Sequence, residues 1–215
     1  MEFVESFMKF SFQDDDIFRI EEDELVQSTD GIKACECVVL ISENVALIEA
    51  KSSAPKIDNE EKFQQFISDI RQKFADSLQL FNDIKNKKRG EEAFLRLPIN
   101  LQNSQVPTEA YKIYLIIHGH HLDWLLGLTD ALRVALQEEV KKWNLRDSNV
   151  KVYNEQTALE NHLIVAYIPR ADVDSLRQPN GNADETKILG YRSWVSVYRL
   201  KFRLYRLKFI LVEAE

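Results

Sequence analysis

Residues 35–53, CECVVLISENVALIEAKSS, set two short apolar strands around a turn and place Glu36, Glu49 and Lys51 among them. Both faces of these strands are apolar, with Cys37, Val39 and Ile41 on one and Val38 and Leu40 on the other. Such strands belong inside a sheet covered on both sides. A charge buried there is costly unless it is paired or holds a metal. The segment therefore constrains the fold and nominates a site at the same time.

The turn residues are Ser42-Glu43-Asn44, of which Asn44 tolerates the positive φ that hairpin turns require. With Glu43 and Asn44 as a two-residue loop, Ser42 faces Val45, Leu40 faces Leu47, and Glu36 faces Lys51. Side chains alternate with period two, so Glu36, Glu49 and Lys51 then share one side. A register one residue off would send Glu36 to the other face. The site rests on the parity of this pairing. Without a site, Glu36 and Lys51 are a cross-strand ion pair on a half-exposed hairpin.

Glu36, a gap of twelve residues, and then Glu49-Ala50-Lys51 resemble the core motif of the PD-(D/E)XK nuclease superfamily, the restriction-endonuclease-like proteins. The resemblance spans roughly residues 15–120, and three residues carry it directly. It implies an α/β fold with an open mixed sheet flanked by helices on both faces, and a helix after the motif. It also implies Mg²⁺ or Mn²⁺ held by Glu36, Glu49 and the Ala50 carbonyl, with Lys51 positioning or activating the attacking water. Nucleic acid is the implied partner, DNA ahead of RNA. Cys35-Glu36 stands where the family has Pro-Asp. Family members often add a metal-side glutamate from a preceding helix, and Glu21, Glu22 and Glu24 are the candidates here. The competing reading is a non-catalytic module of the same fold that binds nucleic acid or protein. The Pro-Asp departure and the net charge of −7 favour that alternative.

Composition sets the outer bounds. The 215 residues are 45% hydrophobic and 29% charged, which suits one globular α/β domain over 1–215. No apolar run reaches the ~18 residues of a membrane span, and no signal-peptide core is expected at the N-terminus. Cys35 and Cys37 are the only cysteines. As neighbours on one strand face they are poorly placed for a disulfide, which points to core roles and a reducing cytoplasm. The charge total argues against coating nucleic acid by charge alone. Its distribution is uneven: 14–30 is strongly acidic, whereas 192–208 carries six Arg or Lys and no acid.

Along the chain, 3–12 reads as an edge strand, and Asp14 to Asp16 cap a short helix through Leu25. Residues 59–87 form a long helix in which Phe63, Phe66, Ile67, Ile70, Phe74 and Phe81 make one apolar stripe. Gln65 and Gln72 lie on its more polar face, within possible reach of substrate. Gly90 ends this helix and 91–109 is a loop. A buried strand follows at 111–118, then a helix at 122–143 and a short strand at 150–153.

His118, His120 and His121 cluster at the end of the 111–118 strand with Asp123 close by, where α/β sites often gather. Their spacing matches no zinc motif, and a polar strand-to-helix loop accounts for them; a role beside Lys51 requires that loop to approach it. Residues 172–190 read as a loop. A basic strand is expected at 194–210, within a basic region of about 191–215, with Arg199, Lys201 and Arg203 on one face. It suits either contact with a nucleic-acid backbone or a charge-protected edge.

Overall fold

The computed structural model describes residues 1–169, so the loop expected at 172–190 and the basic strand at 194–210 lie outside the described residues. The chain opens with a hairpin of β1 (Glu2–Glu5) and β2 (Met8–Ser11), whose turn residues Ser6 and Phe7 both have positive φ. Next come β3 (Ile17–Phe18), a 3-10 turn at Ile20–Glu22, and α1 (Glu24–Gln27). Asp23 caps α1 by accepting the Leu25 N–H. The helix expected from the Asp14–Asp16 cap is thus absent. Ile17 and Phe18 pair instead with Val39 and Val38, because two apolar residues gain more from the sheet than from an exposed helix.

The motif hairpin is β4 (Cys37–Ile41) and β5 (Asn44–Lys51). Then follow α2 (Glu60–Lys85), α3 (Glu91–Leu95), α4 (Ile99–Asn103) and β6 (Lys112–Ile117). The chain continues through α5 (Leu122–Ala135), α6 (Gln137–Lys142), β7 (Val150–Asn154), α7 (Glu155–Glu160) and β8 (Ala166–Tyr167). The main sheet has the order β3-β4-β5-β6-β7. The β3-β4 and β4-β5 pairs are antiparallel; β5-β6 and β6-β7 are parallel. This is a mixed α/β architecture with β5 at its centre.

Two cores flank the main sheet. One face packs Val38, Leu47, Leu115 and Ile117 against α2 and α5, through Ile70, Phe74, Leu78 and Leu128. On the other face Val39, Ile48, Ala50 and Ile116 meet Met8 and Phe10 of β2 and Ala158 of α7. Helices were expected on both faces, but the second is closed mainly by a small sheet of order β1-β2-β8, with the short α7 beside it. The expected edge strand at 3–12 has become the hairpin of that small sheet, since its alternating Met8 and Phe10 need a surface to bury against. Cys35 and Cys37 are free and buried, in the first and second core respectively rather than on one face.

The long helix starts one residue after its cap Asn59, which accepts the Lys62 N–H at 3.4 Å. It ends at Lys85, and the reversal falls on Asn86 and on Lys87, whose φ is 60°. Gly90 therefore opens α3 rather than ending α2. Residues 91–109 hold two short helices where a loop was expected: Pro98 stands just before the first turn of α4, the position that suits its missing N–H. The expected helix at 122–143 is divided at Leu136. Among the described residues no helix is long and apolar enough to cross a membrane.

The hairpin turn falls on Ser42 and Glu43, with φ of 44° and 65°. Two positive φ values in a two-residue loop are what a type I′ turn demands, and neither residue favours them. Replacing Ser42 by Asn together with Glu43→Gly is expected to stabilise the protein by about 1 kcal/mol. Urea denaturation at equal slope checks this; an unchanged midpoint would count against the turn as described.

Candidate active site

The observed pairing is Val38 with Leu47, Leu40 with Val45 and Ile41 with Asn44. Every partner differs from the expectation by two residues, because the loop is Ser42-Glu43 and not Glu43-Asn44. A shift of two preserves parity along the paired residues from Cys37 to Ile41. Extending the ladder by one position sets Glu36 opposite Glu49, not opposite Lys51. Glu49 and Lys51 belong to the face of the sheet that carries Leu47, the α2 side, whereas Glu36 stands one residue before β4, outside the ladder, near enough to Glu49 to feel its charge.

Topology gathers further groups at the same edge. The parallel strands β5, β6 and β7 end there at Lys51, Ile117 and Asn154, and the antiparallel β4 begins there, directly after Glu36. β3 runs antiparallel to β4, so the chain leaves it at this edge through Arg19, Glu21 and Glu22. The carboxyl ends of parallel strands are where α/β folds place their ligands.

Glu49 is fully buried, and two lysines meet it. Its Oε1 lies 2.5 Å from Lys51 Nζ and 2.9 Å from Lys73 Nζ, and Lys73 also donates to Oε2 at 3.1 Å. Burial raises the Glu49 pKa from its ordinary value against the pull of both lysines. Two ammonium groups within 3 Å nonetheless favour the ionised carboxylate, which is the form these contacts serve. Burial pulls Lys73 down, but the Glu49 charge and hydrogen bond, together with the Glu36 and Glu21 charges, hold Lys73 above its ordinary value. Lys51 remains about a third exposed, so its ammonium has access to solvent.

Glu36 is buried in a different setting. Its Oε2 has no hydrogen-bond partner, and the Arg19 guanidinium stands 3.9 Å away, a charge contact only. Burial, then the Glu49 charge and a hydrogen bond with Glu21, push its carboxyl up to about 9. Arg19 Nη2 is shared with Glu21 at 3.2 Å and Glu22 at 3.0 Å. One oxygen each of Glu5, Glu21 and Glu36 lies within 4.8 Å of the others, a group able to hold a metal ion. Of the three candidate helix glutamates, Glu21 reaches Glu36, whereas Glu22 and Glu24 are largely exposed. Ala50 sits in β5 opposite Ile116 with its methyl in the second core.

α2 positions both motif acids. Asp76 accepts the Lys33 N–H at 3.0 Å, Asp69 pairs with Lys33 Nζ at 2.9 Å, and Ser77 Oγ accepts the Cys35 N–H at 2.8 Å. The helix thus grips the chain leading into Glu36 while Lys73 grips Glu49. Gln65 and Gln72, on the more polar helix face, hydrogen-bond to Asp69 and to Asp76. Lys73, Arg19 and Glu5 were missed by sequence reasoning. Lys73 had a signal: it stands three residues after Ile70 and four before Ser77, a charge beside an apolar stripe. Glu5 had none, because only the docking of the hairpin brings it here.

His118 parts from the other two histidines, which both lie against Trp124. His118 continues the alternation of Tyr114 and Ile116, so its ring leaves on the face opposite Lys51 and donates from Nε2 to the Ile168 carbonyl at 2.5 Å. Its backbone N–H does meet the Lys51 carbonyl at 2.8 Å, so the loop approaches Lys51 without bringing the imidazole. His120 packs edge-on to Trp124, and His121 caps α5. No family model matches this chain, and no curated protein or solved structure matches it significantly.

The raised Glu36 pKa has a signed consequence. Between the ordinary carboxyl value of 4.5 and about 9 the folded state keeps a proton that the unfolded state releases, so folding stability falls as pH rises through that window. Glu36→Gln removes this term. In metal-free buffer the variant is expected to match wild type near pH 4.5 and to exceed it increasingly toward pH 9. Urea midpoints across pH read the difference; parallel curves would refute it.

Proposed function

We propose that the chain is a metal-dependent nuclease of the restriction-endonuclease-like type, which hydrolyses nucleic-acid phosphodiesters, DNA ahead of RNA, at the Glu36–Glu49–Lys51 site. One observation supports this above the others: two buried acids, Glu49 on β5 and Glu36 just before β4, stand at the carboxyl edge of a mixed sheet, with the partly exposed Lys51 paired to Glu49. The helix implied after the motif corresponds to α2, which holds Glu49 through Lys73 and the chain before Glu36 through Asp69, Asp76 and Ser77. The residues suit a hard divalent cation, since the donors are carboxylate oxygens and Glu36 Oε2 is buried without a partner. Mg²⁺ or Mn²⁺ held through Glu36, with Glu49 and the Ala50 carbonyl, would polarise the phosphate and lower the pKa of a bound water.

The chain's own residues do the rest. Glu49 holds the Lys51 ammonium in place, and that ammonium orients the attacking water or offsets charge developing on phosphorus. Lys73 keeps Glu49 ionised and adds a second positive charge beside it. Lys51 points from the strand end with a third of its side chain exposed, which leaves room for a phosphate to approach it. The alternative is a module of the same fold that binds nucleic acid or protein without cutting.

Cleavage of a panel of DNA and RNA with Mn²⁺, using identically purified wild type, Glu49→Ala and Lys51→Ala, decides between them. We expect wild-type cleavage that needs the ion and falls about a hundredfold or more in each variant, with Lys51→Ala still folded. Equal activity in all three would assign the cleavage to another site or a contaminant. No cleavage by any, with binding retained, would favour the non-catalytic module.

A further inference from the structure

We propose that the end of the sheet opposite the candidate active site binds a nucleotide, with an amino-bearing base in a notch between Tyr114 and Tyr153 and the phosphate at Lys112, Lys151 and Arg146. Cleavage at the other edge is not needed for it.

Topology sets the place. β5, β6 and β7 begin at this end with Asn44, Lys112 and Val150. Ala46 pairs with Lys112, and Tyr114 with Lys151, so alternation puts Ala46, Lys112, Tyr114, Lys151 and Tyr153 on the face that carries Ile48 and Ile116. The small sheet and α7 cover that face nearer the other edge. Here a cavity of about 180 Å³ lies between the hairpin turn at Ser42 and Asn161, which follows α7. Ala46 and the two tyrosines line it, with Lys112 and Asn44 beside them. Lys51 stands five residues beyond Ala46 on β5, roughly 17 Å away along the strand, and on the opposite face. The two sites share no residue.

The cavity is small beside the roughly 300–1,000 Å³ that encloses a whole ligand. It suits one flat ring, with the remainder of the molecule outside. The Tyr114 and Tyr153 rings are 5.6 Å apart and inclined by 56°, so a ring stacked on one meets the other at its edge. Two amides supply polar contacts. Asn44 Nδ2 donates to the Ser42 carbonyl at 2.9 Å, and Asn161 Nδ2 to the Thr157 carbonyl at 2.7 Å. Each amide is held by its nitrogen and offers its Oδ1 as an acceptor, the complement of an exocyclic amino group. Burial, then the Tyr153 charge, pushes the Tyr114 hydroxyl up to about 12, which keeps it a neutral donor for a ring nitrogen or carbonyl.

The charge beside the cavity is positive. Lys112 Nζ donates to Asn149 Oδ1 at 2.7 Å, and burial, then the Lys151 and Arg146 charges, lower its pKa from the ordinary value. Lys151 Nζ lies 6.0 Å from the centre of the Tyr153 ring. Among the described residues none of these three cations pairs with a carboxylate, Glu109 and Asp147 of the adjoining chain included. In a chain of net charge −7, three cations without acids at one cavity are a place for an anion. Stacking surfaces beside positive charge are how proteins hold a base and its phosphate together.

The test is calorimetric titration of the full chain in EDTA with cytidine 5′-phosphate, uridine 5′-phosphate, cytidine, ribose 5-phosphate and a short oligocytidylate. Cytidine 5′-phosphate is expected to bind at one site, about tenfold tighter than uridine 5′-phosphate, which has a carbonyl in place of the amino group, and tighter than either fragment. Tyr153→Ala should weaken it tenfold or more, and Tyr153→Phe should bind as wild type. Lys151→Gln and Arg146→Gln, at exposed positions that leave the core untouched, should each weaken it severalfold and flatten its salt dependence. Lys88→Gln, an exposed lysine elsewhere, should not. An oligomer bound no tighter than the mononucleotide identifies a free nucleotide as the ligand; a tighter one that still needs Tyr153 identifies a strand, and both uphold the site. Equal binding of the cytidine and uridine phosphates, or no binding by mononucleotide or oligomer, overturns it. If Lys51→Ala loses the nucleotide while Tyr153→Ala and Lys151→Gln keep it, the ligand sits at the candidate active site and the proposal fails.

Discussion

A fully buried carboxylate on the central strand organises this fold. Glu49 lies between β4 and β6 on β5, where water cannot solvate it, and removing a lone carboxylate from water is prohibitively expensive. The compensation arrives from two directions. Lys51 comes from two residues along the same strand, and Lys73 from the helix that crosses above. The second contact fixes how α2 lies on the sheet, since only one helical position can reach the acid. With Lys73 set, the residues a turn on either side are set as well. Asp69, Asp76 and Ser77 then meet Lys33 and Cys35, and the chain enters β4 with Glu36 at the edge. The placement of one acid thus follows from the neutralisation of the other.

The two faces of the sheet divide the polar chemistry between them. Alternation along β5 keeps Glu49 and Lys51 on the α2 face while Ile48 and Ala50 close the opposite core. The same alternation along β6 sends His118 away from them, into contact with the Ile168 carbonyl and Phe7. His118 therefore parts from its neighbours, while His120 and His121 both lie against Trp124. Adjacency along a chain that leaves a strand and starts a helix is a poor guide to adjacency in space.

What was legible in the sequence follows from the range of the forces involved. The motif hairpin, the stripe of α2 and the apolar β6 are periodic patterns over short spans, and each forms where its period places it. The hairpin register was displaced by two residues because Ser42 and Glu43 adopt positive φ without being residues that advertise it. Parity alone governs the face, so the sharing of one face by Glu49 and Lys51 was insensitive to that displacement. The acidic run at 14–30 was legible as charge but not as structure. Its Ile17 and Phe18 take an edge of the sheet through partners twenty residues downstream. Glu5 depended on the docking of one small sheet against another, a long-range event with no local signature.

The net charge of −7 gave the strongest sequence argument against a phosphate-binding edge, and the local structure weakens it. A formal count gives Glu36 and Glu49 one negative charge each. Yet Glu36, with its carboxyl pushed up to about 9, is held largely protonated at neutral pH, and Glu49 is outnumbered by Lys51 and Lys73. At Glu49 itself two ammonium groups face one carboxylate, while Glu21 and Asp69 act on Lys73 and Lys51 from nearby. Much of the remaining acidity sits on exposed surfaces such as Asp123, Asp130 and Glu138, where solvent and salt screen it. A phosphate approaching the sheet edge responds to the nearby field and not to the total. The total therefore cannot decide between a protein that repels nucleic acid and one that admits it at a single edge.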